Sequence, residues 1–501
     1  MEIELKLLAA PDVLAQLRRH EAVKALQQGR ARTLVLHTLY YDTPQRELAR
    51  AGIALRVRRA GKHWIQSLKA GGGAAAGLHE RVEIEWPLVD ATLDPKCLAT
   101  TPYAEFFDAE RVKALRPAFE TEIQRVVIQL CFKDGTRAEL ALDEGVVRAG
   151  SRTAPLCEAE IELKEGQSTR LFELASQLVP DLPLRVGHVS KAQRGDLLAR
   201  NASSQPQKAR SVVLDPNLPA IEALRRILLG CVAQMQANEE GLLGSEDPEF
   251  LHQFRVGLRR LRACLGMFGE LGQSEELSKL KAECKWLAQE LNAARDWDVL
   301  CLETLPELQK IAASDSRVAG LAARCADIRV RHRQAARDAV GSPRYVRALL
   351  QLGLFCAQPA CGLGADARAE TSLKDWVPRI LERRDRRLRK SGDKVPKLSP
   401  VERHQVRIRA KKLRYAADFV APLYTDSKAY LEALERLQSV LGMVNDASVA
   451  ESLVAPLATE LPMPCGMLYG WNAMRVDEAL RRYPKYWRKF KNASKFWNVD
   501  A

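Results

Sequence analysis

The sequence contains no C-x-x-C pair, no H-x-x-x-H pair, no G-x-S-x-G and no G-x-x-x-x-G-K-[ST]. Zinc sites of ordinary spacing, a serine-nucleophile elbow and a Walker-type phosphate loop are therefore not expected. Gly71-Gly72-Gly73 follows Lys69 without phosphate-loop spacing and reads as a flexible hairpin loop. The 11 cysteines, an odd number scattered from Cys97 to Cys465, suit reduced thiols rather than a disulfide framework. No segment reaches the ~18–20 uninterrupted apolar residues of a membrane span. The most apolar late stretch, Leu349 to Ala365, is broken by Gln351, Gln358 and Pro359. The opening MEIELKLLAAPDV has no basic region ahead of an apolar core, so no signal peptide is expected and a cytoplasmic location is.

What is present is length and an uneven charge. At roughly 150 residues per domain, 501 residues imply two or three compact units. Residues 1–200 hold 29 Lys+Arg against 27 Asp+Glu, so most of the net +14 falls beyond residue 200. The composition changes at NASSQPQKARSVVLDP, which reads as a linker over 201–217 between a domain at 1–200 and another at 218–501.

The first 200 residues are mostly short alternating segments, with helical patterns at Pro11–Leu26, Tyr103–Leu115 and Ser168–Val179. Lys133-Asp134-Gly135 and Asp143-Glu144-Gly145 read as hairpin turns. In EIELKL, a strand places Glu2, Glu4 and Lys6 on one face and Ile3, Leu5 and Leu7 on the other. The device returns at Arg56 and Arg58, at Arg81, Glu83 and Glu85, and at Glu158, Glu160 and Glu162. One such strand is an ordinary solvated face. Several together, closed into a barrel with their apolar faces outward under helices, make a tunnel lined with carboxylates and cations. Carboxylates there would hold a divalent metal and Arg and Lys would hold phosphate oxygens.

The ordered set Glu2-x-Glu4-x-Lys6, YYDTP (Tyr40–Pro44), LRVR (Leu55–Arg58), SLK (Ser67–Lys69), ERVE (Glu80–Glu83), Arg125, LALDEG (Leu140–Gly145), CEAEIELK (Cys157–Lys164) and SKAQRG (Ser190–Gly195) resembles the CYTH superfamily, the triphosphate tunnel metalloenzymes. The resemblance implies an α+β domain built on an antiparallel eight-stranded β-tunnel with flanking helices. It implies that Lys6, Arg56, Arg58, Lys69, Arg81, Arg125 and Lys191 grip a triphosphate. Glu2, Glu4, Asp143, Glu158, Glu160 and Glu162 would bind Mg²⁺ or Mn²⁺ or organise the attacking water, with Glu2, Glu4 and Lys6 catalytic. Glu83 and Glu139 are weaker candidates that orient the cations.

Beyond the linker the pattern is long, helical and repeated. HQFRVGLRRLR (His252–Arg262) returns as HQVRIRAKKLR (His404–Arg414), and LAQELNAARDWDV (Leu287–Val299) as LQSVLGMVNDASV (Leu437–Val449). The offsets, 152 and 150 residues, predict an all-α bundle of two homologous halves, near 218–350 and 370–480, related by a pseudo-two-fold. Breaks are expected at Gly244–Pro248, Gly341–Pro343, Pro359–Gly364 and Lys390–Pro400. His252, Arg255, Arg259 and Arg262, with Arg260 adjoining, lie on one helix face opposite Phe254, Leu258, Leu261 and Leu265. His404, Arg407, Lys411 and Arg414, with Lys412 adjoining, repeat it. Neither eleven-residue run contains an acid, whereas solvated faces usually mix signs. This half resembles the CHAD domain, which implies that these ten residues bind inorganic polyphosphate. Asp296, Asp298 and Asp446 orient the arginines or make helix-end contacts.

RILERRDRRLRK (Arg379–Lys390) would extend that surface. RRYPKYWRKFK (Arg481–Lys491) offers aromatics among cations, a pattern that can stack bases, but reads better as a segment docking its aromatics on the bundle. Neither nucleic acid nor a membrane is the expected partner. The expectation is a metal-dependent inorganic triphosphatase that cleaves tripolyphosphate and binds long-chain polyphosphate, with association to polyphosphate granules following from that binding. A non-catalytic polyphosphate-binding protein, a thiamine triphosphatase and a class IV adenylyl cyclase remain open at this point.

Overall fold

The computed structural model describes residues 1–312, 315–363 and 370–498. It divides into two compact units. One is Met1–Gln207 with Gln236–Gly241 and Gly341–Gln358; the other is Lys208–Met235, Leu242–Val340 and Pro359–Ala501.

In the first unit nine strands form one antiparallel sheet: β1 (Glu2–Leu8), β2 (Gln27–Asp42), β3 (Ala54–Ala60), β4 (His63–Ala75), β5 (Leu78–Leu88), β6 (Arg116–Cys131), β7 (Arg137–Ala149), β8 (Arg152–Glu165) and the two-residue β9 (Arg185–Val186). Their order is β5-β4-β3-β2-β6-β7-β8-β1-β9, and β5 pairs again with β1, Glu2 opposite Arg81, so eight strands close into a barrel. The alternation in β1 decides which face is which. Leu5 and Leu7 are fully buried on the outside, in register with Ile161 and Ala159 of β8, and the helices Pro11–Arg19 and Thr169–Leu178 contact β8. The apolar faces therefore point outward under helices and the charged faces inward.

Two glycine-rich segments behave differently from their sequence reading. Asp143-Glu144-Gly145 is not a turn; it lies inside the continuous strand β7, which runs from Arg137 to Ala149. Gly145 is needed because β6 passes close, and a Cβ there would lie 2.0 Å from the Glu122 carbonyl oxygen. Gly71–Gly73 is likewise not a loop. It lies inside β4 at a register shift between Ala70 and Gly73, a β-bulge against β5. The turn at Lys133-Asp134-Gly135 is present between β6 and β7. The expected Pro11–Leu26 helix breaks at extended His20, whose ring nitrogen accepts from Ala22 N (3.2 Å) and starts a second helix, Glu21–Leu26. The Tyr103–Leu115 pattern becomes two short helical turns, Ala104–Phe106 and Ala109–Ala114. The helix α1 (Lys191–Ala199) opens with a capping box from Ser190 and Gln193.

The second unit is helical. Its repeated segments are α2 (Pro248–Leu271), α3 (Glu275–Val299), α4 (Pro400–Val420) and α5 (Lys428–Val454). Proline opens both α2 and α4, capped by Asp247 and by Ser399, so the two basic segments begin alike. The expected core faces are buried, Phe254, Leu258, Leu261 and Leu265 in α2 and Val406, Ala410, Leu413 and Ala417 in α4. The helix α2 contacts α4 and α3 contacts α5, the pairing an internal two-fold produces. Helices stop and restart at the expected breaks; in Pro359–Gly364 a 3₁₀ turn runs Pro359–Gly362, and Gly364 lies outside the described residues. Among the described residues no helix is long and apolar enough to cross a membrane.

Candidate functional site

Strand register decides which charges meet inside the barrel. Lys6 of β1 faces Glu160 of β8, and Glu158 of β8 faces Asp143 of β7, which faces Arg125 of β6. Lys6 Nζ lies 2.8 Å from both Glu158 and Glu160. Arg125 grips Asp143 through two nitrogens at 2.6 Å and reaches Glu160 at 2.9 Å. Lys191 enters from α1 and touches Asp143 (2.9 Å), Glu158 (2.5 Å) and Glu160 (2.8 Å). Close packing seats α1: a Cβ on Gly195 would lie 2.0 Å from the Phe119 ring. Burial alone would push Lys191 down, but its three carboxylates outweigh burial and hold the ammonium above its usual range. Glu160 answers in the opposite sense. Burial would raise it, yet Lys191, Lys6 and Arg125 hold it well below the carboxylate range.

The next row is short of cations. Glu4 of β1 faces Glu162 of β8, which faces Glu139 of β7. Arg81 reaches Glu4 at 3.1 Å, and Glu162 finds Lys164 at 2.5 Å. Burial and then the charge of Glu160 raise Glu4; burial, with Glu2 and Glu139 adding, raises Glu162 despite Lys164. Glu2 is held by Lys69 (2.6 Å), which also meets Glu83 at 3.2 Å. Glu139 accepts from Gln129 (2.7 Å), a neutral amide rather than one of the cations it was expected to orient.

The opposite wall is cationic. Arg56 donates to Ser67 Oγ (2.6 Å) and Glu83 (2.9 Å). Arg58 makes no ion pair among the described residues, and its Nε donates only weakly to Thr38 Oγ1 (3.3 Å). Burial, then Arg56 and Arg125, push Arg58 down to about 10. Tyr40, buried beside Arg56 and stacked on Phe119 at 4.6 Å, is also drawn in. Burial would raise its phenol, but Arg56, Arg58 and Lys191 outweigh it and lower it. Sequence reading noted Tyr40 and Ser67 only as members of motifs, without a role, and missed Thr38 and His79, which meets Arg81 at 3.0 Å. All are uncharged, and a search for alternating charges passes over such residues. The barrel thus brings together every candidate of its own half.

In the helical unit the ten candidates divide. Arg255 and Arg259 of α2 act electrostatically on Lys411 of α4, as does Arg407 on its own helix. Arg255 donates to the Leu291 carbonyl, while Arg255 Nε, Arg407 Nε and His252 Nδ1 are buried without hydrogen-bond partners. Burial and then Arg259 push Arg255 down to about 10. Burial, and then Arg295, lower His252. His404 meets Asn445 at 2.8 Å, and Asp446 lies 3.6 Å from Arg407. Arg260 points elsewhere, 5.0 Å over the Phe419 ring. Arg262 acts on Cys284, and Arg414 pairs with Glu435 at 2.9 Å. Lys412 is exposed, its carbonyl accepting from Arg384. Asp298 is fully buried against Arg329 at 2.6 Å, whereas Asp296 acts on Arg255, Arg407 and Asp446. In Arg481–Lys491, Tyr483, Trp487 and Phe490 are buried and Arg481, Arg482, Arg488 and Lys489 exposed, which removes three aromatics from base stacking.

The family model of the CYTH domain matches residues 1–195 and that of the CHAD domain residues 226–455. An inorganic triphosphatase of Haemophilus influenzae is 31% identical over 197 residues, 39% of this chain and 54% of that protein. An uncharacterized protein of Mycobacterium tuberculosis is 25% identical over 492 residues, 91% of each chain. The crystal structure of the CHAD domain from the plant Ricinus communis is similar at 31% identity and a TM-score of 0.52, covering 58% of this chain and 98% of that one.

Proposed function

From the premise that this chain joins a CYTH domain to a CHAD domain, we propose that its barrel hydrolyses inorganic tripolyphosphate to diphosphate and phosphate and that its helical face holds long-chain polyphosphate. One observation carries the first half. Arg58 is a half-buried guanidinium that makes no ion pair among the described residues, next to Arg56 and Arg125, in a closed barrel whose other wall is lined with carboxylates. A cation held partly out of water without an ion-pair partner is costly, and a phosphate chain lying between the walls relieves it. The name of the Haemophilus relative supports the inorganic substrate.

Lys6, Arg56, Arg58, Lys69, Arg81, Arg125 and Lys191 would hold phosphate oxygens and neutralise the charge that spreads over the transferred group. Glu2 and Glu4 would orient the attacking water and receive its proton. The residues also fit a divalent metal, Mg²⁺ or Mn²⁺. Asp143, Glu158 and Glu160 each offer an oxygen within 4.8 Å of the others, and Glu158 Oε2 is buried with no partner. Glu2, Glu4 and Glu162 supply further oxygens of the hard type these ions prefer. A metal held there would shield phosphate charge and lower the pKa of bound water. The reading places the chain in the cytoplasm, associated with polyphosphate granules through the helical unit.

The test is phosphate release from tripolyphosphate by the intact chain with Mg²⁺, Mn²⁺ or EDTA, alongside thiamine triphosphate and ATP. Metal-dependent release that favours tripolyphosphate is expected. Preference for thiamine triphosphate, or cyclisation of ATP, would replace the substrate assignment, and no release with any metal would leave a binding protein.

A further inference from the structure

Lys411 occupies an unusual position. Within the internal repeat it stands where Arg259 stands in the first half, so the convergent group holds three guanidiniums and one amine. Arg407 lies one turn earlier on α4, and Arg255 and Arg259 act on Lys411 from α2, the helix packed against α4. The carboxylate that acts on it, Asp446 of α5, lies 3.6 Å from Arg407. Among the described residues Lys411 Nζ makes no hydrogen bond and no ion pair. Guanidiniums do not release protons near neutrality, so Lys411 is the member that can. Burial, then Arg407 and Arg259, push its ammonium down to about 7.

A half-buried amine set among like charges on packed helices, with no hydrogen bond or ion pair of its own among the described residues, gives up its proton readily and is a nucleophile, and here its neighbours are groups that attract phosphate. We propose that Lys411 is a preferred acylation site of this protein and that acyl phosphates are the donor class. The guanidiniums of Arg255, Arg259 and Arg407 hold the donor's phosphate, which brings its carbonyl carbon to Lys411 Nζ. The nitrogen attacks that carbon, an N–C bond forms and the C–O bond to phosphate breaks. Inorganic phosphate leaves with the electron pair, and the surplus proton on nitrogen passes to water. The product amide is neutral, so acylation removes one positive charge from the face assigned above to polyphosphate. The inference rests on the cation cluster itself and stands if that face serves another phosphate compound.

Lys412, the next residue and solvent-exposed, is a built-in control. The intact chain is incubated near neutral pH with acetyl phosphate, and in parallel with the uncharged donor N-hydroxysuccinimidyl acetate; initial acetylation of Lys411 and Lys412 is read by peptide fragmentation. Lys411 should react about tenfold or more faster than Lys412 with both donors, because far more of its amine is free. Excess inorganic phosphate should suppress the acetyl phosphate reaction at Lys411 and leave the ester reaction unchanged. Equal rates at the two lysines with both donors overturn the proposal. A fast ester reaction without an acetyl phosphate preference that phosphate suppresses overturns the donor class.

Discussion

Glu4 and Glu162 face each other as Cα partners across the β1–β8 ladder, and Glu139 continues the row on β7. Like charges in register oppose folding unless a cation sits among them. Two rungs away, Glu158 faces Asp143, but Lys6, Lys191 and Arg125 supply the cations. The barrel therefore holds one compensated acidic zone and one under-compensated zone side by side.

The under-compensated row makes Glu162→Gln informative. In EDTA the variant should be as stable as the parent or more so, because a repulsive charge is gone. Metal-dependent hydrolysis of tripolyphosphate should fall about 100-fold, on the order of 2.7 kcal/mol at the transition state. Glu4 and Glu162 are raised in the fold, so whatever stability they contribute is lost as pH rises through their folded values. Metal-free protein should thus gain stability on mild acidification to just above the ordinary Glu range, and Mg²⁺ or Mn²⁺ should abolish the gain. Thermal unfolding with metal and with EDTA reads both effects.

The compensated zone responds in the opposite sense. Asp143 and Glu160 are lowered in the fold, so their stability is fully present above the ordinary carboxylate values and is lost as pH falls through the depressed ones. Lys191→Met leaves buried carboxylates short of a cation and should cost about 3–5 kcal/mol. Urea denaturation at neutral pH measures that loss, and acid titration of the parent should show unfolding only below the normal carboxylate range.

Arg58→Met separates binding from folding. With no ion pair to lose, the fold should keep its melting temperature or gain slightly. The kcat/KM for tripolyphosphate should fall about 10- to 100-fold, roughly 1.4–2.7 kcal/mol. A large loss of melting temperature would mean that Arg58 holds the barrel together.

Gly72→Ala tests the bulge. Gly72 has φ +72°, and a Cβ would lie 1.6 Å from the Glu80 carbonyl oxygen, a backbone atom that cannot swing away. Destabilisation well beyond ~1 kcal/mol is expected, together with reduced activity because Lys69 and Arg81 flank the bulge. Chemical denaturation and phosphate release report the two consequences.

Arg255→Gln combined with Arg407→Gln should weaken long-chain polyphosphate binding by tenfold or more and flatten its dependence on salt, while tripolyphosphate hydrolysis stays unchanged. By analogy with phosphate-backbone recognition, each lost phosphate contact lowers the salt slope by about one. Titration at several ionic strengths gives the slope directly.

Much of this architecture is legible in the order of the residues. Strict alternation places Glu2, Glu4 and Lys6 together because a strand turns successive side chains to opposite faces. The 152-residue repeat announces two equivalent helices, and the apolar stripe of each is indeed the buried one. Asp143-Glu144-Gly145 misleads because glycine serves equally for a turn and for close approach of a neighbouring strand, and only the position of β6 distinguishes them. Arg260 and Arg262 share a helix stripe with Arg259 in projection and Arg414 shares one with Lys411, yet the long flexible side chains of Arg260 and Arg414 find Phe419 and Glu435 instead, and Arg262 acts on Cys284.

By itself, then, the sequence determined the two architectures, the inward-facing charges of the strands and the basic faces of the paired helices, because periodicity is a property of local backbone geometry. Tertiary structure alone decided which charges become partners. Closure of β5 on β1 set the ring of contacts, register set Glu4 against Glu162 and Lys6 against Glu160, and the packing of α2 on α4 left Lys411 among arginines. Partnership depends on distances between segments far apart in the chain, and no local pattern encodes them.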